Sequence, residues 1–206
     1  RIVILDCCHS GKFGSSNLIS ATSTLIKNGV TILTASKDTQ NALEINGHGV
    51  FTALLLQALS GASDLHGKIT PGSVYAYIDQ ALGPWSQRPV FKTNVSEFIT
   101  LRSINPPLPL TTLRKLTEYF GSPENSFVLD PSYEDTNTPK VNHKVIEPYA
   151  NPKNVAIFKD LQKMQSVGLV VPVDVDFMYF AAMDSKSCRL TALGYHYWNL
   201  VKSKKM

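Results

Sequence analysis

The sequence predicts an α/β protein with a second, smaller α+β domain, and two observations carry this prediction. The first half of the 206-residue chain alternates strand-like apolar runs with helix-like runs, as a doubly wound α/β domain does. A proline-rich stretch at 105–109 then ends the alternation, which is typical of a stiff linker. We therefore place the first domain at 1–102, a linker at 103–110 and the second domain at 111–206.

The first domain opens on a strand. Ile2, Val3, Ile4 and Leu5 are four consecutive aliphatic residues, which suit a parallel strand buried on both faces. The pair Thr70-Pro71 is typical of a helix start, because threonine caps the first turn and proline fits the first helical position. Hydrophobic spacing and turn residues predict the other elements: helices at 15–27 and 49–59, and strands at 30–34, 90–92 and 97–101.

In the second domain, apolar residues at helical spacing predict a helix over 110–120 that Gly121-Ser122-Pro123 terminates. The stretch 124–152 is rich in Pro, Asn, Asp and Ser, so we expect a long loop with at most a short strand or helical turn. The remaining predictions are a helix over 154–167, a hairpin of strands at 169–173 and 177–183, and a closing helix over 191–201.

Composition narrows the class of protein. Hydrophobic residues make up 43% of the chain, enough to fill two cores, and no apolar stretch reaches the roughly eighteen residues of a membrane span. Three cysteines do not make a disulfide framework, so we expect a reducing, cytoplasmic compartment and no membrane partner. The net charge of +4 is modest, and the basic cluster Lys202, Lys204 and Lys205 does not by itself predict nucleic-acid binding.

The run Asp6-Cys7-Cys8-His9-Ser10-Gly11 is the most informative part of the sequence. Because ligands bind beyond the carboxyl ends of parallel strands, we expect Cys8 at the mouth of a crevice, followed by small residues where the backbone turns. A thiolate in that position is a candidate nucleophile. Two other interpretations stay open: the cysteines are small buried hydrophobes at a strand end, or they bind metal, which adjacent ligands disfavour.

This run resembles the nucleophile motif of metacaspases and bacterial caspase-like peptidases, in which Asp, any residue, Cys, His, Ser and Gly follow one another. Two later stretches resemble the same family in the same order: 34–44 leading to Gly49-Val50-Phe51-Thr52, and Gln87-Arg88-Pro89-Val90-Phe91. The resemblance covers about 1–102 and implies the C-terminal part of a caspase-like α/β sandwich. Bacterial members of the family often serve defence or stress-triggered death.

The resemblance implies a cysteine endopeptidase in which Cys8 is the nucleophile. The Cys8 backbone N–H would hold the oxyanion, and Gly11 belongs to the turn that lets a substrate approach closely. Asp6 would lie in the primary specificity pocket and select a protein or peptide substrate with arginine or lysine before the scissile bond. The alternative is that Asp6 only caps its own loop by accepting from backbone donors.

The polar loop 36–48 follows the strand beside the nucleophile strand, where loops shape substrate sites. Asp38, Gln40 and Glu44 are therefore candidate substrate-binding residues, against the alternative of a solvated, self-capping loop. We predict no cofactor and no metal site. Calcium is the alternative, because many metacaspases bind it through clustered acids, although 11–17 contains none.

The catalytic base is expected outside this chain. In the family that the motif resembles, the histidine lies in a His-Gly motif before the nucleophile strand, which here starts at Ile2. His9 is adjacent to Cys8, but successive side chains of an extended segment point to opposite faces. We expect an upstream segment or a partner chain to supply the histidine and further strands. The competing hypothesis is a catalytically inactive caspase-like scaffold or DNA-associated regulator.

The second domain carries a weaker signal. Its order of helix, two strands and closing helix, with the run Leu190-Thr191-Ala192-Leu193-Gly194, resembles a winged-helix module. Such modules bind DNA or other proteins, so a regulatory protein is a candidate partner, whereas we do not expect this domain to bind nucleic acid. Cys188 has no catalytic partner pattern, and we expect it to be structural.

Overall fold

The computed structural model of the protein describes residues 1–10, 26–37, 39, 41–45, 48–84, 87–139 and 145–206. The chain divides into two compact units, Arg1–Pro107 and Leu108–Met206. This division lies inside the stretch 103–110 where the sequence predicts a linker. The mixed α/β composition expected from the sequence is confirmed. Among the described residues, no helix is long and apolar enough to cross a membrane.

Among its described residues, the first unit is built around a three-stranded sheet. Its elements in chain order are β1 (Ile2–Leu5), β2 (Val30–Thr34), β3 (Glu44–Ile45), β4 (His48–Gly49), α1 (Val50–Gly61), β5 (Lys68–Ile69), α2 (Pro71–Leu82), β6 (Val90–Asn94) and β7 (Arg102–Ser103). Strands β1 and β2 are parallel, with Leu5 opposite Thr34, and β6 runs antiparallel along the other side of β2. The carboxyl ends of β1 and β2 therefore lie at the same edge of the sheet.

The two described helices of the first unit, α1 and α2, form where the apolar spacing predicts them. Side chains from β2, α1, β5 and α2 share one buried core that includes Leu33, Phe51, Ile69 and Ile78. The predicted start of α2 is confirmed, because Thr70 Oγ1 accepts a hydrogen bond of 3.2 Å from Ser73 N. Ser73 Oγ in turn accepts from Thr70 N at 3.0 Å, which completes a capping box.

One strand prediction in the first unit is wrong, and one helix prediction falls outside the described residues. Residues 97–101 do not form a strand. Strand β7, at Arg102–Ser103, lies antiparallel to β5, and Leu101 N just before it donates to the Ile69 carbonyl oxygen at 2.8 Å. The Phe98 ring lies 5.8 Å from the ring of Phe91, and the chain pairs afterwards with β5 and not with β6. The helix predicted at 15–27 lies largely outside the described residues.

The second unit has a small antiparallel sheet with strand order β8, β10, β9. Its elements in chain order are α3 (Leu110–Arg114), α4 (Leu116–Tyr119), β8 (Phe127–Val128), a 3-10 turn (Pro131–Tyr133), α5 (Pro152–Ser166), β9 (Val170–Val173), α6 (Met178–Met183), β10 (Ser187–Leu190) and α7 (Ala192–Lys202). The predicted helices at 154–167 and 191–201 are confirmed as α5 and α7. The loop predicted at 124–152 holds only β8 and the 3-10 turn among its described residues.

The helix predicted over 110–120 is divided at Lys115 into α3 and α4. Lys115 Nζ lies 2.6 Å from Asp160 Oδ2 on α5, and the Tyr119 hydroxyl donates to the same oxygen at 2.8 Å. These bonds tie the division point to α5. Burial, and then the hydrogen bond to Asp160, raise the pKa of Tyr119 to about 12.

The hairpin predicted at 169–173 and 177–183 is half wrong. The first strand is β9, but residues 178–183 form α6, and the partner strand is β10 at Ser187–Leu190. Helical spacing explains the difference, because α6 buries Met178, Ala181 and Ala182 on one side. The exposed aromatic residues of this stretch favour a strand by propensity, but the helical spacing of the buried residues decides the element.

Asn137 organises the long loop of the second unit, and it is fully buried. Its Nδ2 donates to the carbonyl oxygens of Pro131, Ile146 and Pro148, and its Oδ1 accepts from Ile146 N at 2.9 Å.

We expect Asn137→Ala to lower the free energy of unfolding by about 2 kcal/mol, because several backbone groups of the loop lose their hydrogen-bond partner. Urea unfolding followed by circular dichroism measures this. The exposed Asn125 in the same loop gives the control, since Asn125→Ala should change stability by less than about 0.5 kcal/mol.

Candidate active site

The candidate active site lies at the carboxyl ends of β1 and β2. The chain leaves β1 at Asp6 and leaves β2 at Ala35, so the two following segments are neighbours. The Ser36 hydroxyl donates to the carbonyl oxygen of Cys7 at 3.3 Å, and Ser36 N donates to Ser10 Oγ at 3.4 Å. Ser10 and Ser36 are both buried. Ser36, just after β2, therefore holds the backbone of the segment 7–10, which contains both cysteines.

Cys7 and Cys8 are both free and exposed, whereas Cys188 is buried. The chain turns directly after β1, and His9 has a φ of 56°, in the left-handed region. This turn brings the cysteines to the surface, unlike small hydrophobes that pack at a strand end. Exposure is the first requirement for a cysteine that attacks a substrate.

Alkylation rates should separate these cysteines. We expect iodoacetamide to modify Cys7 and Cys8 of the native protein at least about a hundredfold faster than Cys188, because reaction needs an accessible thiolate. Burial raises the pKa of Cys188 to about 12, so near neutral pH it stays protonated. Peptide mass spectrometry after timed quenching measures the three rates. In urea Cys188 should react as fast as the others, and equal rates in the native protein would contradict the expectation.

The Asp6 carboxylate lies at the amino terminus of α1. Its Oδ2 accepts hydrogen bonds from the Thr52 hydroxyl at 2.6 Å and from Thr52 N at 3.2 Å. Gly49, the residue before α1, offers no side chain as a cap, and a Cβ built there would lie 2.2 Å from Asp6 Oδ2. Asp6 therefore serves as the helix cap from another part of the chain, where the helix dipole favours a carboxylate.

Glu44 is brought to the same place. It lies on β3 directly opposite Gly49 of β4, and its side chain is exposed. The carbonyl oxygen of the preceding residue, Leu43, accepts from Val50 N at 3.0 Å, which fixes β3 beside the first turn of α1. The structure thus places Asp6 and Glu44, both predicted as substrate-binding residues, next to Gly49.

Gln87 is a site residue that the sequence analysis missed, although it begins the run Gln87-Arg88-Pro89-Val90-Phe91 that resembles the family. Gln87 is buried, and its Nε2 donates to the Ala35 carbonyl oxygen at 3.0 Å. Its Oε1 accepts from Leu43 N. One side chain thus joins the segment after β2 to the segment before β3. A glutamine just before an apolar strand is the only signal that the sequence offers for this role.

The other predicted site residues, Gly11, Asp38 and Gln40, lie outside the described residues. Within the described ranges, no group of three or more His, Cys, Asp and Glu side chains could hold a metal ion. The expectation of no cofactor, with calcium as its alternative, stays a prediction.

The arrangement offers an accessible thiol two residues after a carboxylate, on a turn held by buried serines. Such a site could hold a cation through Asp6 while Cys8 attacks a neighbouring electrophile. Comparisons with known proteins add nothing to this geometry: no family model, no curated protein and no solved structure matches the chain.

Proposed function

We propose that the protein is a caspase-like cysteine endopeptidase that cleaves peptide bonds after arginine or lysine. The observation that carries the proposal is the exposed Cys8 at the carboxyl end of a parallel strand, beside the anchored carboxylate of Asp6. The order of the sequence motifs supports the same chemistry. Parallel strands place catalytic groups at their carboxyl ends in unrelated α/β enzymes.

The proposed reaction is acyl transfer. The Cys8 thiolate attacks the carbonyl carbon of the scissile bond, the Cys8 N–H stabilises the oxyanion, and the C–N bond breaks to leave a thioester. Water then hydrolyses the thioester and releases the acid product. A histidine takes the thiol proton and gives it to the leaving amine. By resemblance, this histidine comes from a His-Gly motif in sequence before Arg1 or from a partner chain.

Asp6 is the proposed specificity acid. Both of the hydrogen bonds that it accepts from Thr52 go to Oδ2 and not to Oδ1. The side chain is also exposed, so Oδ1 can accept from a substrate guanidinium or ammonium group. Glu44 adds a second exposed negative charge at the start of α1, which favours the same basic side chains.

The test uses the protein together with the segment or partner chain proposed to carry the histidine, and compares hydrolysis of matched arginyl and aspartyl peptide reporters with and without calcium. We expect cleavage of the arginyl reporter only, with Cys8→Ala inactive and Cys7→Ala active. The neighbouring thiol is the matched control, because both cysteines are exposed on the same turn. Activity that survives Cys8→Ala would refute the assignment. If neither the wild type nor any variant cleaves either reporter, the result would favour an inactive scaffold.

We further propose that the second unit is an accessory winged-helix-like module for recruitment or control. Its three-stranded antiparallel sheet with α5 before and α7 after the strands β9 and β10 supports this proposal. The helix α6, inserted between those strands, departs from a simple hairpin. Deletion of 108–206 should therefore leave hydrolysis of short reporters intact while changing the cleavage of protein substrates.

A further inference from the structure

The second unit exposes a continuous group of aromatic rings around α6. Phe177, Tyr179 and Phe180 have 62%, 39% and 45% of their surface accessible. The ring of Phe180 lies 6.2 Å from that of Phe177 and 5.3 Å from that of Tyr179, measured between centroids. We call these three residues the aromatic surface. Single exposed apolar side chains are ordinary, but contiguous ones mark binding sites.

Unpaired acids flank the aromatic surface on both sides in sequence. Asp174, Asp176 and Asp184 are all exposed, and none forms an ion pair or side-chain hydrogen bond with another described residue. The segment 174–186 contains these three aspartates and one lysine, Lys186, so its formal charge is −2. The whole chain carries +4, so this acidic segment runs against the overall balance.

Folding of the second unit accounts for only one of these side chains: Asp174 has a φ of 59°, a left-handed conformation in which aspartate is enriched. Asp184 directly follows the last residue of α6, where the helix dipole disfavours a carboxylate. Phe177 is the residue that precedes α6, and it makes no side-chain cap. The helix is held to the unit by its opposite side, through Met178, Ala181 and Ala182, which are buried. The aromatic and acidic side chains are therefore available to bind a partner molecule.

We propose that the aromatic surface binds a linear peptide segment in which arginine or lysine alternates with apolar residues. The exposed rings offer faces for cation–π contact with guanidinium groups and apolar area for aliphatic side chains. The three free carboxylates attract the same cations and repel acidic segments. Repulsion of phosphates by the same acids argues against nucleic acid as the occupant.

This inference goes beyond the proposed peptidase and does not require Cys8 or Asp6. It concerns a binding activity that an inactive scaffold would have equally. If the peptidase proposal also holds, the aromatic surface would recruit proteins rich in the basic residues that the site cleaves.

The test selects peptides from a random library displayed on phage, using the full chain as bait. Selection runs in parallel on three variants: Phe177→Ser with Phe180→Ser, Asp174→Asn with Asp176→Asn and Asp184→Asn, and Leu56→Ser. Leu56 is the matched control, because it is 61% exposed and lies on α1 of the first unit. Circular dichroism establishes that each variant is folded. Binding of the enriched peptides is then measured by fluorescence anisotropy at low and high salt.

We expect enrichment of basic and apolar residues on the wild-type chain and on Leu56→Ser. Loss of both phenylalanines should weaken binding at least about thirtyfold, since buried aromatic anchors dominate such interfaces. Loss of the three acids should weaken binding about tenfold and remove most of its salt dependence. The proposal is overturned if the enriched peptides are acidic, or if they bind the folded phenylalanine variant as well as the wild type. Failure of any peptide to enrich, or a dimer that only the phenylalanine variant abolishes, would overturn it too.

Discussion

Replacing Asp6 by asparagine is expected to lower kcat/KM for an arginyl reporter by about a hundredfold or more, because the substrate cation loses its charged partner. The same change should leave stability within about 1 kcal/mol of the wild type, since asparagine caps a helix about as well as aspartate. The side-chain oxygen of the asparagine would still accept from Thr52, whose hydroxyl lies 2.6 Å from Asp6 Oδ2 in the wild type. Steady-state kinetics in the presence of the segment proposed to carry the histidine, and urea unfolding, give the two quantities.

Thr52→Val separates the structural role of Asp6 from its proposed role in specificity. Valine has nearly the shape of threonine but lacks the hydroxyl donor, so we expect a loss of about 1 kcal/mol in stability. The preference for arginyl over aspartyl reporters should persist, because the Asp6 charge is retained. If instead both variants lose activity in proportion to stability, Asp6 is only the cap of α1, and the specificity proposal fails.

Much of the fold follows from local patterns in the sequence. The aliphatic run at 2–5 and the strand at 30–34 are recognisable without any partner, and they form the parallel pair that carries the site. The start of α2 is equally local, because Thr70, Pro71 and Ser73 satisfy each other within one turn. Such elements are predictable because their stabilising contacts lie close together along the chain.

The two wrong strand predictions have a different origin. The segment 97–101 is apolar enough for a strand. The ring of Phe98 packs against that of Phe91, and the strand that pairs with β5 is β7, directly after the segment. At 177–183 the aromatic residues suggested a strand, while burial follows helical spacing. The first prediction fails because a partner strand elsewhere in the chain decides the element, which local propensity does not encode. The second fails although the helical spacing of Met178, Ala181 and Ala182 is present in the sequence.

The candidate site divides in the same way. The position of Cys8 after an aliphatic strand follows from the sequence, because the strand itself is local. The expectation that this strand is buried on both faces is wrong, since β1 is only partly buried and Ile4 is 39% exposed. The hydrogen-bond partners of Asp6 and Gln87 cannot be predicted from the sequence. Thr52 is 46 positions from Asp6, and Ala35 is 52 positions from Gln87. An acid followed much later by Gly-Val-Phe-Thr offers no spacing rule that joins the two. Only the fold shows that Asp6, after β1, caps the helix α1 that contains Thr52.

Gly194, the single glycine of α7, is expected to tolerate no side chain. A Cβ at this position would lie 2.0 Å from the Leu169 carbonyl oxygen and 3.2 Å from Leu190 Cδ2. The helix cannot simply move away, because Thr191 N donates to that same carbonyl oxygen at 3.0 Å. Thr191 Oγ1 also donates to the Gly168 carbonyl oxygen at 2.6 Å. The start of α7 is therefore fixed against the segment that leads into β9.

Gly194→Ala should lower the free energy of unfolding by about 2–3 kcal/mol, because the methyl group must displace backbone in a tightly packed region. Helix propensity alone predicts the opposite sign, since alanine is favoured over glycine by about 1 kcal/mol inside a helix. Urea unfolding of the full chain measures the difference. Gly121→Ala is the control, because a Cβ there meets nothing within 4 Å. Equal stability of the two variants would mean that the close approach of α7 to Leu169 is not what requires glycine at this position.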